Sequence, residues 1–293
     1  MAFIEVRGIS KTFVSSGVTR PVLHHVTLSV ERGEFVSVVG SMGCGKSTFL
    51  NIVAGLVAPD AGQVIVDGEP LRGVRKDAAI VFQNYSLLPW FSALENVRLA
   101  VEAAFPRRSR DEQKSQAVRY LSMVGLATAM NRRPGQLSGG MRQRVAIARA
   151  FAIEPELLFL DEPFGALDAL TRATLQQELA RMCSERERQV TTIMITNNVE
   201  EAILLSDRIV PMTRGPRARL GDAVDVALPR PRTVSQLLHD EEAERVRAYV
   251  VESLTDSVHR SAGLTRETRP TSAPLSDAAR FPAVAPAVSA ENE

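Results

Sequence analysis

Short apolar runs set between turn-forming residues mark the first third of the chain. Phe3 to Val6, Val26 to Val30 and Gln63 to Val66 are β-branched runs of this kind, and each predicts a strand. Phe35 to Val39 is apolar except at Ser37, and Val36, Val38 and Val39 branch at Cβ. That pattern predicts a strand buried on both faces. Over residues 92–152 the strand signals vanish and Arg, Glu, Gln and Ala dominate, which predicts a helical insert. Strand signals return at Leu157 to Leu160, Val190 to Thr196 and Arg208 to Thr213. Between the first two of these, Leu175, Leu179 and Met182 share one face of a predicted helix. Strands alternating with helices predict an α/β fold with a parallel sheet and crossover helices.

One more helix is expected over 233–254, after Pro229-Arg230-Pro231. Residues 256–293 hold Pro270, Pro274, Pro282 and Pro286 among Ala, Ser and Thr. Such a composition buries too little apolar surface to fold, so a disordered tail is expected there. The expected partition is a main domain over 1–228, with its helical part at 84–153, a helical extension over 229–255, and the tail.

Charge and composition narrow the picture. A net charge of +1 lacks the basic excess of a broad nucleic-acid surface, so no nucleic-acid partner is expected. No apolar window is long enough to span a bilayer, and the first residues lack a basic-then-apolar leader, so a cytosolic chain is expected. Cys44 and Cys183 make no disulfide framework, and the four histidines lack metal-ligand spacing.

The first chemistry-bearing motif follows the buried strand directly. Gly40-Ser41-Met42-Gly43-Cys44-Gly45-Lys46-Ser47 fits G-x-x-x-x-G-K-[ST], and helix-compatible Thr48 to Ala54 comes next. Glycines let backbone amides wrap a β/γ-phosphate, and a helix N-terminus adds partial positive charge. Lys46 is placed to reach the phosphate oxygens, and the Ser47 hydroxyl to hold Mg²⁺. Cys44 lies at the helix start, where thiolate is favoured, although an inert loop filler is the preferred reading.

Further on stand Leu137-Ser138-Gly139-Gly140-Met141-Arg142-Gln143-Arg144, the strand Leu157 to Leu160 ending in Asp161-Glu162-Pro163, and Gly165-Ala166-Leu167-Asp168. In this order after the cradle, these segments resemble the ATP-binding cassette ATPases over about residues 3–228. The resemblance implies a P-loop NTPase (RecA-like) core with an N-terminal antiparallel β subdomain and an inserted helical subdomain. It also implies ATP and Mg²⁺ as cofactors.

The family's residue roles carry over one at a time. The cradle and Thr48 would bind ATP. Asp161 would sit beside the Mg²⁺ held at Ser47, and Glu162 would polarise the attacking water. Leu137, Ser138, Gly139, Gly140 and Met141 would face the γ-phosphate held by another subunit, so a head-to-tail dimer is implied, homo- or heteromeric, with Asp168 at its seam. Gln83, after Ile80-Val81-Phe82, matches the glutamine that contacts Mg²⁺ and the water; its bare alternative is a turn residue. Phe13 falls where an aromatic stacks on adenine; its alternative is a core phenylalanine. Arg142, Arg144 and Arg149 read as packing or surface-pair residues.

Two stretches depart from the general pattern or narrow it. The family's usual Thr-His-Asp run is here Thr196-Asn197-Asn198. An amide at Asn197 still donates to a phosphate oxygen but carries no charge. Either Glu162 suffices as base, or this subunit turns over slowly beside a fuller partner. Asn84 to Val97 carries the only Trp in a Leu-Leu-Pro-Trp cluster. It reads as core packing, as a groove for a permease helix, or as both. This stretch is similar to the nitrate, sulfonate and taurine importer branch, and Ile195 to Pro216 most resembles nitrate, nitrite or cyanate members. The resemblance implies docking on membrane permease subunits near Gln83–Val97, at the cytoplasmic face, with a solute-binding protein acting indirectly. A low-turnover regulatory subunit and a soluble non-transport ATPase are the competing readings.

Overall fold

The computed structural model describes residues 2–261 apart from 16, 166, 185–189 and 231. Two sheets organise the molecule. The first is a four-stranded antiparallel sheet of β1 (Ile4–Ser15), β2 (Val18–Val30), β4 (Ala61–Val66) and β5 (Glu69–Pro70), in the order β2-β1-β4-β5. The second has six strands: β3 (Phe35–Val39), β6 (Ala78–Val81), β7 (Leu157–Asp161), β8 (Thr191–Thr196), β9 (Arg208–Pro211) and β10 (Val224–Asp225). Its order is β10-β9-β3-β8-β7-β6, parallel except where β10 meets β9. The parallel core with an antiparallel β subdomain and a helical subdomain is the fold expected from the sequence.

Strands β3, β7 and β8 are buried along their whole length. A central parallel strand is covered on both faces, which explains their unbroken apolar runs. The apolar runs understated β1 and β2. Their outer halves are largely exposed, apolar Phe13, Val14 and Val18 included, yet they pair through Phe13↔Arg20 to Ser15↔Val18. Each strand there satisfies the other's backbone, which needs no apolar side chain.

Helix α1 (Lys46–Val53) leaves the end of β3 and packs under both sheets. The insert is α2 (Ala93–Ala104), α3 (Arg110–Met123) and α4 (Gly139–Ala152), which pack on one another around Val97, Leu121 and Ile147. Ser92 with Glu95 and Ser109 with Glu112 form capping boxes that start α2 and α3. Buried Asn96 bonds the backbone of Leu88, Phe91 and Ser92, fixing the loop before α2.

Helix α5 (Ala169–Ser184) buries Leu175, Leu179 and Met182, as its apolar face predicts. Helix α6 (Val199–Leu205) follows β8. Helices α7 (Val234–Leu237) and α8 (Glu241–Ser261) fold back, burying Leu237, Ala243, Val246 and Val250 in the same core as the parallel sheet. Helix α8 runs past the boundary drawn at residue 255. Residues 262–293 of the expected tail lie outside the described residues. Arg232 reaches from this segment to the carbonyls of Ile203, Ser206, Val226 and Leu228, gripping the end of α6.

Candidate active site

The carboxyl ends of β3, β8, β7 and β6 form one edge, the usual ligand-binding side of an open parallel sheet. Gly40 to Gly45 turns at the end of β3. Gly45 has φ 116°, and a Cβ there would come within 3.0 Å of Val22 Cγ1. Only glycine both adopts that φ and fits the space. The turn leaves Ser41, Met42, Gly43 and Ser47 exposed and Thr48 half-buried. Gly40, Cys44 and Lys46 are buried.

Lys46 Nζ donates to the carbonyls of Gly40 at 3.0 Å and Ser41 at 3.1 Å, and lies 3.2 Å from Glu162 Oε1. Ser47 Oγ donates to Asp161 Oδ1 at 3.2 Å. Burial raises the Asp161 carboxyl above its usual range, and the Ser47 bond opposes that. Glu162 adopts φ 43°, a left-handed conformation rare for a side-chain-bearing residue. Its N–H donates to Ile195 O at 3.0 Å, which ties it to β8. Gln83 is exposed just past β6, with Nε2 3.5 Å from Glu162 Oε2. The cradle, Asp161, Glu162 and Gln83 are therefore gathered at one place.

Asn197 is exposed at the end of β8, on the same edge. Next to it, Asn198 caps α6 by accepting from Glu200 N and Glu201 N. Thr196 Oγ1 accepts from Asn198 N at 3.0 Å and donates to buried Glu201 Oε2 at 2.8 Å. Burial raises the Glu201 carboxyl, with Thr196 and Arg172 opposing. Nothing in the sequence singled out Glu201. Its spacing five residues after Thr196, on the inward side of a short helix, is the signal that could have done so.

The remaining candidates stand apart from this cluster. Ser138 is exposed and caps α4, accepting from Met141 N at 3.2 Å, while Leu137 anchors the turn in the core. Gly139, Gly140 and Met141 form the first turn of α4 and are half-buried. A Cβ on Gly140 would meet Thr171 Cγ2 at 2.4 Å, so only glycine lets α4 sit this close to α5. Asp168 is exposed and accepts from Thr171 N at 3.0 Å, which holds its carboxyl below the usual range.

Phe13 is 42% exposed, with Lys11 Nζ 5.4 Å from its ring centre. That corrects the core-phenylalanine alternative and leaves an open ring face. Cys44 is buried, and burial pushes its thiol up against the pull of the helix N-terminus, which agrees with the inert loop filler preferred from the sequence. In the stretch after Gln83, Tyr85, Leu87 and Leu94 pack against the core, whereas Trp90 is 62% exposed.

A protein-family model described as "ABC transporter" matches residues 23–165. The bicarbonate transport ATP-binding protein CmpD of Synechocystis sp. is 44% identical over 253 residues, covering 86% of this chain and 89% of that protein. The nitrate import ATP-binding protein NrtD of Synechococcus elongatus is 46% identical over 252 residues, covering 86% of this chain and 91% of that protein. Among solved structures, a dimeric post-hydrolysis state of the ATP-binding cassette MJ0796 bound to ADP and Pi aligns with TM-score 0.67 at 30% identity. That alignment covers 77% of this chain and 100% of that one.

Proposed function

The chain belongs to the ABC transporter family as an ATP-binding, ATP-hydrolysing subunit, and from that membership we propose that it energises import of a small oxyanion of the nitrate or bicarbonate type. The observation that carries the reading is the convergence of Lys46, Ser47, Asp161 and Glu162 at the ends of two strands. No helix among the described residues is long and apolar enough to cross a membrane. In the proposed role the subunit acts from the cytoplasmic face, docked on permease subunits through Gln83–Val97, where Trp90 offers an exposed apolar contact.

In this mechanism the amides of Gly40 to Thr48 wrap the phosphates, Lys46 neutralises the β/γ oxygens, and Phe13 stacks on adenine. The Ser47 hydroxyl, the Asp161 carboxylate and the Gln83 amide oxygen suit Mg²⁺, a hard cation held by few protein oxygens alongside phosphate. Bound there, the ion would offset charge developing between the phosphates. Glu162 orients and polarises the water, and the Asn197 amide donates to a γ-phosphate oxygen. Leu137, Ser138, Gly139, Gly140 and Met141 of a second ATPase subunit close over the triphosphate, with Asp168 at the seam. The permease and a solute-binding protein select the cargo.

Reconstitution with a permease and solute receptor tests this. Nitrate or bicarbonate should stimulate ATP turnover several-fold. Turnover that ignores both anions overturns the cargo assignment. A Glu162→Gln protein that stays monomeric with ATP, alone and beside every candidate partner subunit, overturns the dimeric site.

A further inference from the structure

One interaction outside the phosphate site joins two segments that the mechanism treats separately. Tyr85 and Ser86, two and three residues after Gln83, have φ of 64° and 45°. Adjacent left-handed residues without glycine are costly and persist only where the surroundings enforce them. The enforcing group is Arg149, on the last turn of α4. Its Nη1 donates to Ser86 O at 2.5 Å and its Nη2 to Tyr85 O at 2.9 Å.

The guanidinium is partly buried, and burial lowers its pKa. Among the described residues no carboxylate pairs with it; its charge is met by these two carbonyls. A fork of two N–H groups matches diverging carbonyls in a way a lysine ammonium cannot. Two turns earlier on α4, the Arg142 guanidinium lies 5.5 Å from the Tyr85 ring centre. The strained loop is thus fastened to α4 by its backbone and by a ring, and α4 begins at Ser138.

We propose that Arg149 is a positioning residue that locks the Gln83 loop to the Ser138 helix, so that displacement of the loop is passed along α4 to the Ser138–Gly140 turn. The proposal rests on the roles given above to Gln83 and Ser138. A helix is stiff along its axis, so a loop fixed to its last turns moves its first turn with it. Loss of the fork would loosen the loop and, with it, the Ser138 turn that the loop steadies through α4, with the phosphate cradle on β3 and α1 undisturbed.

The test uses Arg149→Met, which keeps the apolar stem, and Arg149→Lys, which keeps one donor and the charge. Amide hydrogen exchange is measured on the full chain without nucleotide. In Arg149→Met, exchange over 84–92 should quicken about tenfold and exchange over 138–144 should quicken with it. Exchange over 46–53 should stay at the wild-type rate, and Arg149→Lys should fall between. ATP affinity and turnover are then measured on the same proteins. The turnover number should fall about tenfold with nucleotide affinity kept within twofold. Quickening confined to 84–92, or uniform across all three segments, overturns the lock. So does a folded Arg149→Met protein with wild-type turnover. The exchange arm needs no ATP, so a chain that failed as an ATPase would still report on the lock.

Discussion

The ammonium of Lys46 and the carboxylate of Glu162 stand 3.2 Å apart, with 4% and 14% of their side-chain surfaces exposed. The cation that should meet the triphosphate and the anion that should prepare the water are thus held on one line. Breaking one partner of such a pair leaves the other under-compensated.

Glu162→Gln should cut ATP turnover about 10²- to 10⁴-fold, the usual worth of a positioned base. Nucleotide affinity should hold or improve, because Lys46 loses its competing carboxylate. A filter-binding titration beside a phosphate-release assay separates the two. Turnover within tenfold of wild type removes Glu162 as the base.

Asn197 is exposed at the end of β8, on the same sheet edge as Glu162, the proposed base. Asn197→His should leave turnover within about threefold, whereas Asn197→Ala, which deletes the donor, should lower it about tenfold, the scale of one lost hydrogen bond to a charged group. A large gain with histidine, read by the same phosphate-release assay, would mean that asparagine at 197 holds turnover down.

Glu201 sets a pH dependence of stability. Burial raises its carboxyl in the folded chain above the unfolded value. Its favourable contribution is therefore complete below the ordinary carboxylate range and is lost as pH rises through the folded value. Glu201→Gln keeps an oxygen for the Thr196 hydroxyl and has no charge to bury. The Tm difference, variant minus wild type, should grow as pH rises above the ordinary carboxylate range and level off once the folded carboxyl has ionised. A difference that stays flat across calorimetric scans in that range removes Glu201 as the cause.

Gly140 and Thr171 form a steric pair. Gly140→Ala would put its methyl 2.4 Å from Thr171 Cγ2, so α4 or the Thr171 side chain would have to shift. Turnover should fall about tenfold from a small misplacement of the turn. Thr171→Ser in the same protein, which removes that methyl, should recover most of it. Failure of the second change to recover activity places the fault elsewhere than in this contact.

The parts that a sequence shows are those in which side-chain identity is the mechanism. Gly45 must be glycine for its φ, and Lys46 and Ser47 must follow it, so the cradle was fully readable. So were β3, β7 and β8, whose burial on two faces writes an apolar run. The outer halves of β1 and β2 were not, because backbone pairing stabilises them and their side chains face solvent. Arg149 and Arg232 escaped for a related reason. Their partners are main-chain carbonyls, which every residue carries, so no partner pattern marks them. Phe13 could be placed by position, but only the fold shows that its ring is open.

The grip of Arg232 on the end of α6 bears on where this protein can be cut. A cassette shortened at residue 228, the natural-looking border, would keep the whole Gly40–Ser47 turn yet leave the carbonyls of Ile203 and Ser206 without their guanidinium. The helix that starts beside Asn197 would lose its anchor at the far end. The smallest autonomous ATPase module of this chain therefore extends beyond the sheet, into the segment that looks from its prolines like a mere linker.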